Sequence, residues 1–480
     1  MEERNPLMPR EVGVTVLPEF FQVEGVEAVL DNLMTRAGVT AIATSPYVMR
    51  PTADGEGARE PPIDAGAGSV RILDRALWGR RDLWVRTAPS FTPDRTLYDG
   101  LRYQPAAPDA LTEREGRRVA DAVRAAKARG LAVHLQAQAA IPPGYRVQFG
   151  GPVDEDRPRL PDGSSPAVRV DNNGSLASPH ILAYTQALIR DIVRAYPGID
   201  VLRLDWPEYP PYSLDSLFFD FSIHARAAMA RMGEDPDRLA RAAARLRARV
   251  TSGLTADDIA RIADGASPLD VFDDALRDGA VADWLSAKAR IVTHFLAGCA
   301  ETLHAASGGR IALMPQCFPP PWTLLSGFDA GAVARIGVGA IGVKLYTMHW
   351  PMMLRAYADG VAGENPAAAR HPRIGEALMR VAAVDSDMTR YGAIDSVRYP
   401  EPEEPHPAGA AEQTAKIREA RRAATPVPVF AFAHGYGPVE DFERRATIAF
   451  DAAGGRLFVN RYGYLSDAKL DALGRATGAP

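Results

Sequence analysis

The sequence predicts an α/β protein built as a closed (β/α)8 barrel. Eight short apolar segments have the period of two that is typical of a strand, and helical segments separate them along the chain. Eight such units are the number that closes a parallel barrel. An open doubly wound sheet is the alternative, but it usually has a glycine-rich turn after its first strand, where this chain has Pro18-Glu19-Phe20-Phe21. We therefore predict a TIM barrel, one catalytic domain over residues 11–480.

The first three strands are predicted at residues 12–17, 40–44 and 131–138. Apolar residues at helical spacing from Val26 to Met34 indicate a helix between the first two. Residues 51–68 are rich in Gly, Pro and charge, which predicts a long loop. The aromatic residues of 70–105 indicate an ordered excursion over the barrel mouth, the end of the barrel where the strands have their carboxyl ends.

A helix over about residues 112–129 leads into the third strand. One face of that strand is apolar, and the other face is polar: His134, Gln136 and Gln138. Such alternation is expected where one face packs on helices and the other lines the barrel.

The fourth strand, residues 201–205, follows a helix that opens at Ser178-Pro179. Arg203 and Asp205 share one face of this strand, where they would be costly in an ordinary apolar core. The strand breaks at Pro207, and Glu208 follows in a turn with three aromatic residues: Trp206, Tyr209 and Tyr212. Two carboxylates with aromatic neighbours at a strand's carboxyl end indicate a sugar-cleaving site.

The largest interruption, about residues 213–309, contains helical segments at 225–232, 236–250, 256–262 and 280–306. We interpret the last of these as the barrel's own helix and residues 213–290 as an inserted helical subdomain, a lid or an oligomer contact. The remaining strands are predicted at 311–316, 341–346, 427–434 and 456–461. Helices at about 359–381 and 410–424 flank an acidic, proline-rich loop at 399–408, and Ser466 is the predicted cap of the last helix.

Composition narrows the class of protein. The 480 residues are 46% hydrophobic and 24% charged, as in an ordinary globular enzyme. The net charge of -5 argues against nucleic-acid binding, which needs a concentrated basic face. Two cysteines cannot build a disulfide framework, and no secretory or membrane-spanning apolar segment is found. We expect a cytoplasmic protein with a small-molecule carbohydrate as its substrate, no cofactor, and homo-oligomer formation left open.

The carboxyl ends of barrel strands build the active site in folds of this kind. The predicted site residues there are Glu19, Tyr47, His134, Gln136, Gln138, Arg203, Asp205, Trp206, Glu208, Tyr209, Gln316, Lys344, His349, Trp350, His434, Asn460, Arg461 and Tyr462. Amides and carboxylates bind vicinal hydroxyls, and aromatic rings stack on sugar faces. A phosphate site would instead need a glycine nest together with basic residues.

The run from Ser175 to Tyr184, the helix after it and residues 199–205 resemble the lead-in to strand four of barrel glycoside hydrolases. Arg203 and Asp205 are similar to an Arg-x-Asp of the α-amylase superfamily, in which the aspartate is the nucleophile. The nearest likeness is to the uncharacterised hypothetical glycosyl hydrolases, from which no reaction can be transferred. The resemblance covers about 40 residues well, together with the overall order and spacing of the predicted strands.

Two departures from these families limit the resemblance. An α-amylase relative should have a glutamate acid/base after strand five, where this chain has Gln316. Barrels with acids on strands four and seven should have a nucleophilic glutamate after strand seven, where this chain has His434.

Glycoside hydrolysis needs one protonated carboxyl group and a second that acts as nucleophile or base. We predict Glu208 as the general acid, with its pKa raised by Trp206 and the nearby tyrosines. Asp205, kept ionised by Arg203, is predicted as nucleophile or stabilising carboxylate. Glu19 is left open as the second carboxyl group. Retention, inversion and a substrate-assisted mechanism also stay open.

Other interpretations stay open beside hydrolysis. Lys344 could form a Schiff base in an aldolase or lyase, although an ion pair with Asp205 or Glu208 is favoured. The barrel could bind carbohydrate without cleaving it, because its second acid is missing. A purely structural interpretation also stays open: Arg203 and Asp205 form a buried ion pair that fills the barrel interior, and Glu208 is solvated.

Histidines raise a further alternative. A metal site could combine Glu208 with His134, His349 and His434, but neither HxH nor HExxH spacing occurs, so we predict none. His134 is either a hydrogen-bonded sugar ligand or a satisfied core histidine.

Overall fold

The computed structural model describes residues 10–62, 71–146, 150–166, 172–384, 394 and 397–479. The strands are β1 Glu11–Thr15, β2 Ala41–Thr44, β3 Tyr47–Pro51, β4 Ala58–Glu60, β5 Leu83–Pro89, β6 Ala132–Gln138, β7 Val201–Asp205, β8 Ala312–Cys317, β9 Ile341–Leu345, β10 Val429–His434 and β11 Arg456–Asn460. Over the described residues, β1, β2 and β6 to β11 close in that order into a parallel barrel of eight strands. The predicted (β/α)8 barrel and its eight strand positions are confirmed.

The helices are α1 Pro18–Val23, α2 Val26–Ala37, α3 Ala110–Glu115, α4 Arg117–Ala128, α5 Pro179–Ala195, α6 Ile223–Arg231, α7 Pro236–Val250, α8 Ala256–Ala263, α9 Pro268–Val271, α10 Asp273–Leu276, α11 Ala280–Ser307, α12 Trp322–Ser326, α13 Ala330–Ala334, α14 His349–Glu364, α15 Pro366–Ala369, α16 Ile374–Val381, α17 Ala410–Ala424, α18 Val439–Ala452 and α19 Asp467–Thr477. Ser178 and Ser466 accept backbone N–H bonds at the starts of α5 and α19, as predicted.

The single helix predicted over about 359–381 is wrong. α14 begins earlier, at His349, and ends before Pro366, which lacks the N–H that a continuing helix needs. Asn365 instead accepts the backbone N–H of Ala368 and starts α15.

Residues 47–89 contain a second sheet, which is antiparallel, has the strand order β3-β5-β4 and is not part of the barrel. It begins with Tyr47, directly after β2, and its last strand ends at Pro89. The loop predicted over residues 51–68 is therefore wrong at Pro51, which ends β3, and at residues 58–60, which form β4; its residues 63–68 lie outside the described residues. β4 ends in Glu60, a completely buried carboxylate whose partners are described with the site.

The interior of the barrel is filled with aromatic side chains. Phe430, Phe432 and Phe458 form a buried cluster with small residues of the neighbouring strands. Gly13 makes room for one of these rings, because a Cβ at that position would lie 2.1 Å from the ring of Phe458. The barrel is thus packed below the mouth, and a ligand can be bound only above this layer.

The helices α6 to α10 occupy the chain between β7 and α11, where the sequence predicts an inserted subdomain. α7 packs on α11, and apolar residues of α8 form a separate buried cluster with α14 and α16. Lys288 of α11 donates to the carbonyl groups of Leu217 and Leu325, which ties the insertion to α12, the first helix after β8. A role as lid or oligomer contact stays a prediction.

The helical layer is uneven beside β8. The two helices that follow this strand, α12 and α13, have five residues each, whereas the flanking α11 and α17 have 28 and 15. Within the described ranges, no helix is both long and apolar enough to cross a membrane. The cytoplasmic location stays a prediction.

Candidate active site

Asp205 lies at the carboxyl end of β7 and is held by side chains from both sides of its strand. Its Oδ1 is 2.7 Å from the Nζ of Lys344, which is buried on β9. Its Oδ2 accepts from the Nε2 atoms of Gln136 and Gln138, each at 3.4 Å. The favoured interpretation of Lys344 as an ion-pair partner of Asp205 is confirmed.

The amides of this group continue to the next strand. Gln316 of β8 is buried and donates from Nε2 to the Oε1 of Gln136 at 2.8 Å. The carboxylate of Asp205, which is 17% exposed, thus has two partners from β6 and one from β9. Gln316 of β8 does not bond to the carboxylate itself but holds one of the β6 amides, that of Gln136.

The chain turns sharply after Asp205. Trp206 has a φ of 54°, a left-handed conformation that is uncommon for a residue with a side chain. Asn173 stabilises the turn, because its Nδ2 donates to the carbonyl groups of Trp206 and Glu208 at 3.2 and 3.1 Å. The Trp206 ring lies 5.7 Å from the Lys344 Nζ, beside the ion pair.

Glu208 is completely buried beneath this turn. Its Oε1 accepts from the backbone N–H of Phe318 at 2.8 Å, and its Oε2 is 2.6 Å from the Oγ of Ser326. Burial raises the pKa of Glu208 to about 7, against the opposing effects of Lys344 and of the two hydrogen bonds. The predicted direction of the pKa shift agrees, and the alternative of a solvated Glu208 is wrong.

Arg203 and His134 lie in the barrel interior. The Nε of Arg203 donates to the Nδ1 of His134 at 3.0 Å, and the guanidinium lies 3.6 Å from the ring centroid of Phe458. Burial and the nearby Arg203 hold the pKa of His134 well below its usual value, so its imidazole is neutral. His134 is therefore a satisfied core histidine, and the ion-pair partner of Asp205 is Lys344 rather than Arg203, as a correction to the prediction.

A second charged group lies on the β1 side of the barrel, the acid–arginine quartet of Glu19, Glu60, Arg146 and Arg461. Arg146 reaches Glu60 at 2.7 Å and Glu19 at 3.6 Å, and Arg461 donates to Glu60. Tyr47 donates its hydroxyl to Glu19 at 3.2 Å. Three of these five residues are among the predicted site residues.

The two acids of the quartet differ in their titration. Burial and the negative charge of Glu60 raise the pKa of Glu19 to about 7. Burial also acts to raise the pKa of Glu60, but Arg146 and Arg461 outweigh it and lower that pKa. Glu60 and Arg146 were not predicted, because Glu60 lies on the outer sheet, Arg146 lies well beyond the end of β6 in the loop that follows it, and no motif marks either residue.

A cluster of rings surrounds His434 at the end of β10. The rings of Tyr346 and Tyr464 lie 5.4 and 5.1 Å away, and the Nη1 of Arg71 is 3.3 Å from the Nε2 of His434. Burial, followed by Arg71, holds the pKa of His434 well below its usual value. His349 is 5.7 Å from Tyr346, ring to ring. Both predicted histidines thus meet aromatic neighbours at the mouth, and the predicted Asn460 lies half-buried at the end of the adjoining β11.

Three predicted substrate-binding aromatics are core residues instead. Trp350 is buried against a second tryptophan at 5.9 Å in the helical layer. The hydroxyl of Tyr462 donates to Glu24, and that of Tyr209 donates to Asp220. Each of these three residues follows a barrel strand closely in sequence, but its side chain packs against other parts of the protein. The prediction that they bind substrate is therefore wrong.

The alternative metal site is not assembled. Over the part of the chain that the structure describes, no three His, Cys, Asp or Glu side chains are arranged to hold a metal ion. His134 is bonded to Arg203, and Glu208 is bonded to Phe318 and Ser326.

No model of a known protein family matches this chain, and no curated protein matches it. Among solved structures, the chain is similar to a β-galactosidase from the psychrophilic Marinomonas ef1, with a TM-score of 0.51 and 11% identity. That likeness covers 97% of this chain but only 59% of the β-galactosidase. The catalytic domain of a β-amylase from Paenibacillus polymyxa overlaps with a TM-score of 0.46 and 11% identity, over 96% of this chain and 94% of that one. At these identities the first likeness supports the barrel fold alone, and the second adds no argument.

Proposed function

We propose that the protein is a glycoside hydrolase whose reaction takes place at the mouth of the barrel. Glu208 is the general acid, and Asp205 is the nucleophile or the carboxylate that stabilises the cationic transition state. One observation carries the proposal: two carboxyl groups three residues apart lie in opposite environments. Asp205 is 17% exposed and lies 2.7 Å from the Nζ of Lys344, whereas Glu208 is completely buried, and burial raises its pKa to about 7.

Glycosidic bond cleavage uses this difference directly. The leaving oxygen needs a proton as the bond breaks, and the sugar ring then carries positive charge that a carboxylate stabilises. A Glu208 with a pKa near neutrality is protonated in a large fraction of molecules at neutral pH and can supply that proton. To do so, its Oε2 must exchange the bond with Ser326 for one with the leaving oxygen.

The surroundings of Asp205 suit a sugar. The amides of Gln136 and Gln138 are half-buried beside the carboxylate, and the ring of Trp206 is half-buried next to them. Amides bind hydroxyl groups, and an indole ring offers an apolar face to a pyranose. Because one barrel fold hosts many reactions, the likeness in fold adds less support than this arrangement of side chains.

Carbohydrate binding without hydrolysis is the second candidate function. Both oxygens of Glu208 are engaged by protein groups, and His434 ends the seventh barrel strand, where an acid could otherwise stand. A Schiff-base reaction has less support, because the amine of Lys344 is engaged with Asp205.

Turnover of aryl glycosides tests the proposal. The purified protein should release the aglycone from at least one sugar of a broad panel. Asp205→Asn and Glu208→Gln should each lower kcat by about 10²- to 10⁴-fold on phenyl glycosides. Glu301→Gln, an exposed acid on α11, is the matched control and should leave kcat unchanged.

The leaving group then separates the two carboxyl groups. A dinitrophenolate departs without a proton, so Glu208→Gln should recover most of its activity on dinitrophenyl glycosides, and Asp205→Asn should not. Full activity of Glu208→Gln on phenyl glycosides would contradict its role as the acid. If no glycoside is cleaved while sugars raise the melting temperature, the protein is a carbohydrate-binding barrel.

A further inference from the structure

We propose that Gln316 is a positioning residue that fixes Asp205 through the amide of Gln136. The inference rests on the proposed function, because it names a residue that sets the reactivity of the proposed catalytic carboxylate. Gln316 itself contacts neither the carboxylate nor the mouth: it is 1% exposed, and its bond is to Gln136.

The direction of the two amides follows from their hydrogen bonds. A glutamine side chain has one acceptor oxygen and one NH₂ donor on the same carbon, so a partner for one end determines what the other end presents. Gln316 donates to the Oε1 of Gln136 at 2.8 Å. The NH₂ of Gln136 is thereby directed at Asp205 Oδ2, at 3.4 Å.

Without Gln316, only the carboxylate of Asp205 among the described residues orients the Gln136 amide, and rotation of that amide about its last bond costs less. In one orientation its NH₂ faces Asp205, and in the other its carbonyl oxygen faces the carboxylate and repels it. Gln138 donates to the same Oδ2, but its own Oε1 is buried with no hydrogen-bond partner among the described residues, so no neighbour fixes that amide. Of the two amides that donate to Asp205, only that of Gln136 is held at its other end, by the hydrogen bond from Gln316.

The charged groups that interact with Asp205 come from β9, from its own strand and from the turn after that strand. Lys344 of β9 is its ion-pair partner, and Arg203 of its own strand and Glu208 after it also interact electrostatically with Asp205. All three remain in place when Gln316 is replaced by an uncharged residue. A change in Asp205 after such a replacement therefore reports on the amides.

The test is a double-mutant cycle with Gln316→Met, Gln136→Met and the two combined. Methionine keeps the volume of glutamine and removes its hydrogen bonds. We expect each single variant to lower kcat by about tenfold and to move the acid limb of the kcat–pH profile upward by about half a unit. KM should stay within about twofold in Gln316→Met and rise in Gln136→Met, which also removes a proposed sugar-binding amide. The combined variant should equal Gln136→Met, because Gln316 acts through Gln136.

Gln413→Met is the matched control. Gln413 is also 1% exposed, but its amide donates to the carbonyl groups of Ala408 and Gly409 at the start of α17. The control should lose stability and keep the parental pH profile. Additive effects in the cycle, or an unshifted pH profile in Gln316→Met, would overturn the proposal.

A measurement on the free protein separates this inference from the proposed function. With aspartate labelled at the carboxyl carbon, the NMR signal missing from Asp205→Asn identifies Asp205, and its titration midpoint needs no turnover. A midpoint that rises in Gln316→Met supports the positioning role even if no glycoside is cleaved and the proposed function fails. An unchanged midpoint overturns the positioning role, whatever the activity.

Discussion

Replacing Glu208 by glutamine should remove a pH-dependent loss of folding free energy. Burial raises the pKa of this carboxyl group from 4.5 to about 7. Between these pH values the folded protein holds a proton that the unfolded chain has released, so stability falls as pH rises through this window. The full loss, about 3 kcal/mol at 1.36 kcal/mol for each pKa unit, is present above pH 7 and absent below pH 4.5.

Glutamine reproduces the protonated form of Glu208. Its Oε1 can accept from the N–H of Phe318, and its amide can donate to the Oγ of Ser326. The Ser326 hydroxyl can in turn donate to the carbonyl group of Thr323, which is 3.2 Å away. The variant therefore keeps the hydrogen bonds and loses the titration. Relative to the parent, its free energy of unfolding should increase by about 3 kcal/mol from pH 4.5 to pH 8.

Urea unfolding at several pH values between 4.5 and 8.5 measures this difference, because other titrating groups cancel between parent and variant. Glu301→Gln, on the exposed face of α11, should give a difference that does not change with pH. The reasoning is refuted if the difference for Glu208→Gln is constant across the range, or if the variant loses stability relative to the parent as pH rises.

Other predictions concern single contacts. Lys344→Met should lower the free energy of unfolding by about 3 kcal/mol, because it leaves Asp205 without its ion-pair partner, and a second change, Asp205→Leu, should restore much of it in urea unfolding. Gly13→Ala should cost about 1–3 kcal/mol by crowding the Phe458 ring, seen as a lower urea midpoint. Trp350→Ala should cost about 3–5 kcal/mol yet leave sugar affinity per folded molecule unchanged by calorimetry; lost affinity at full stability would restore Trp350 as a ligand-binding residue.

The sequence predicts the barrel because each of its strands is a local pattern. Period-two alternation specifies the strand from Val201 to Asp205 without knowledge of its neighbours. The outer sheet follows no such pattern, because β4 has three residues and exists only through pairing with β5, whose partner residues are 23 or more positions away. Long-range pairing of short strands has no local signature.

The site is predictable only to the extent that strand ends determine where side chains point. Asp205 and Lys344 lie on strands, and their meeting follows from barrel geometry. Trp350 and Tyr462 lie beyond strand ends, where one turn of the backbone decides between the mouth and the helical layer. Glu60 comes from the outer sheet, so no inspection of the barrel strands could include it.

The uneven helical layer has a mechanical consequence. A helix of five residues has almost no internal i to i−4 bonds, so few helical hydrogen bonds protect the backbone amides of α12 and α13, whereas those of α11 lie in a long ladder. Deuterium from heavy water should therefore replace the amide protons of residues 322–334 well before those of α11. α12 supplies Ser326, which donates to Glu208, so local opening of this short helix would release one of the two hydrogen bonds that hold the Glu208 carboxyl group.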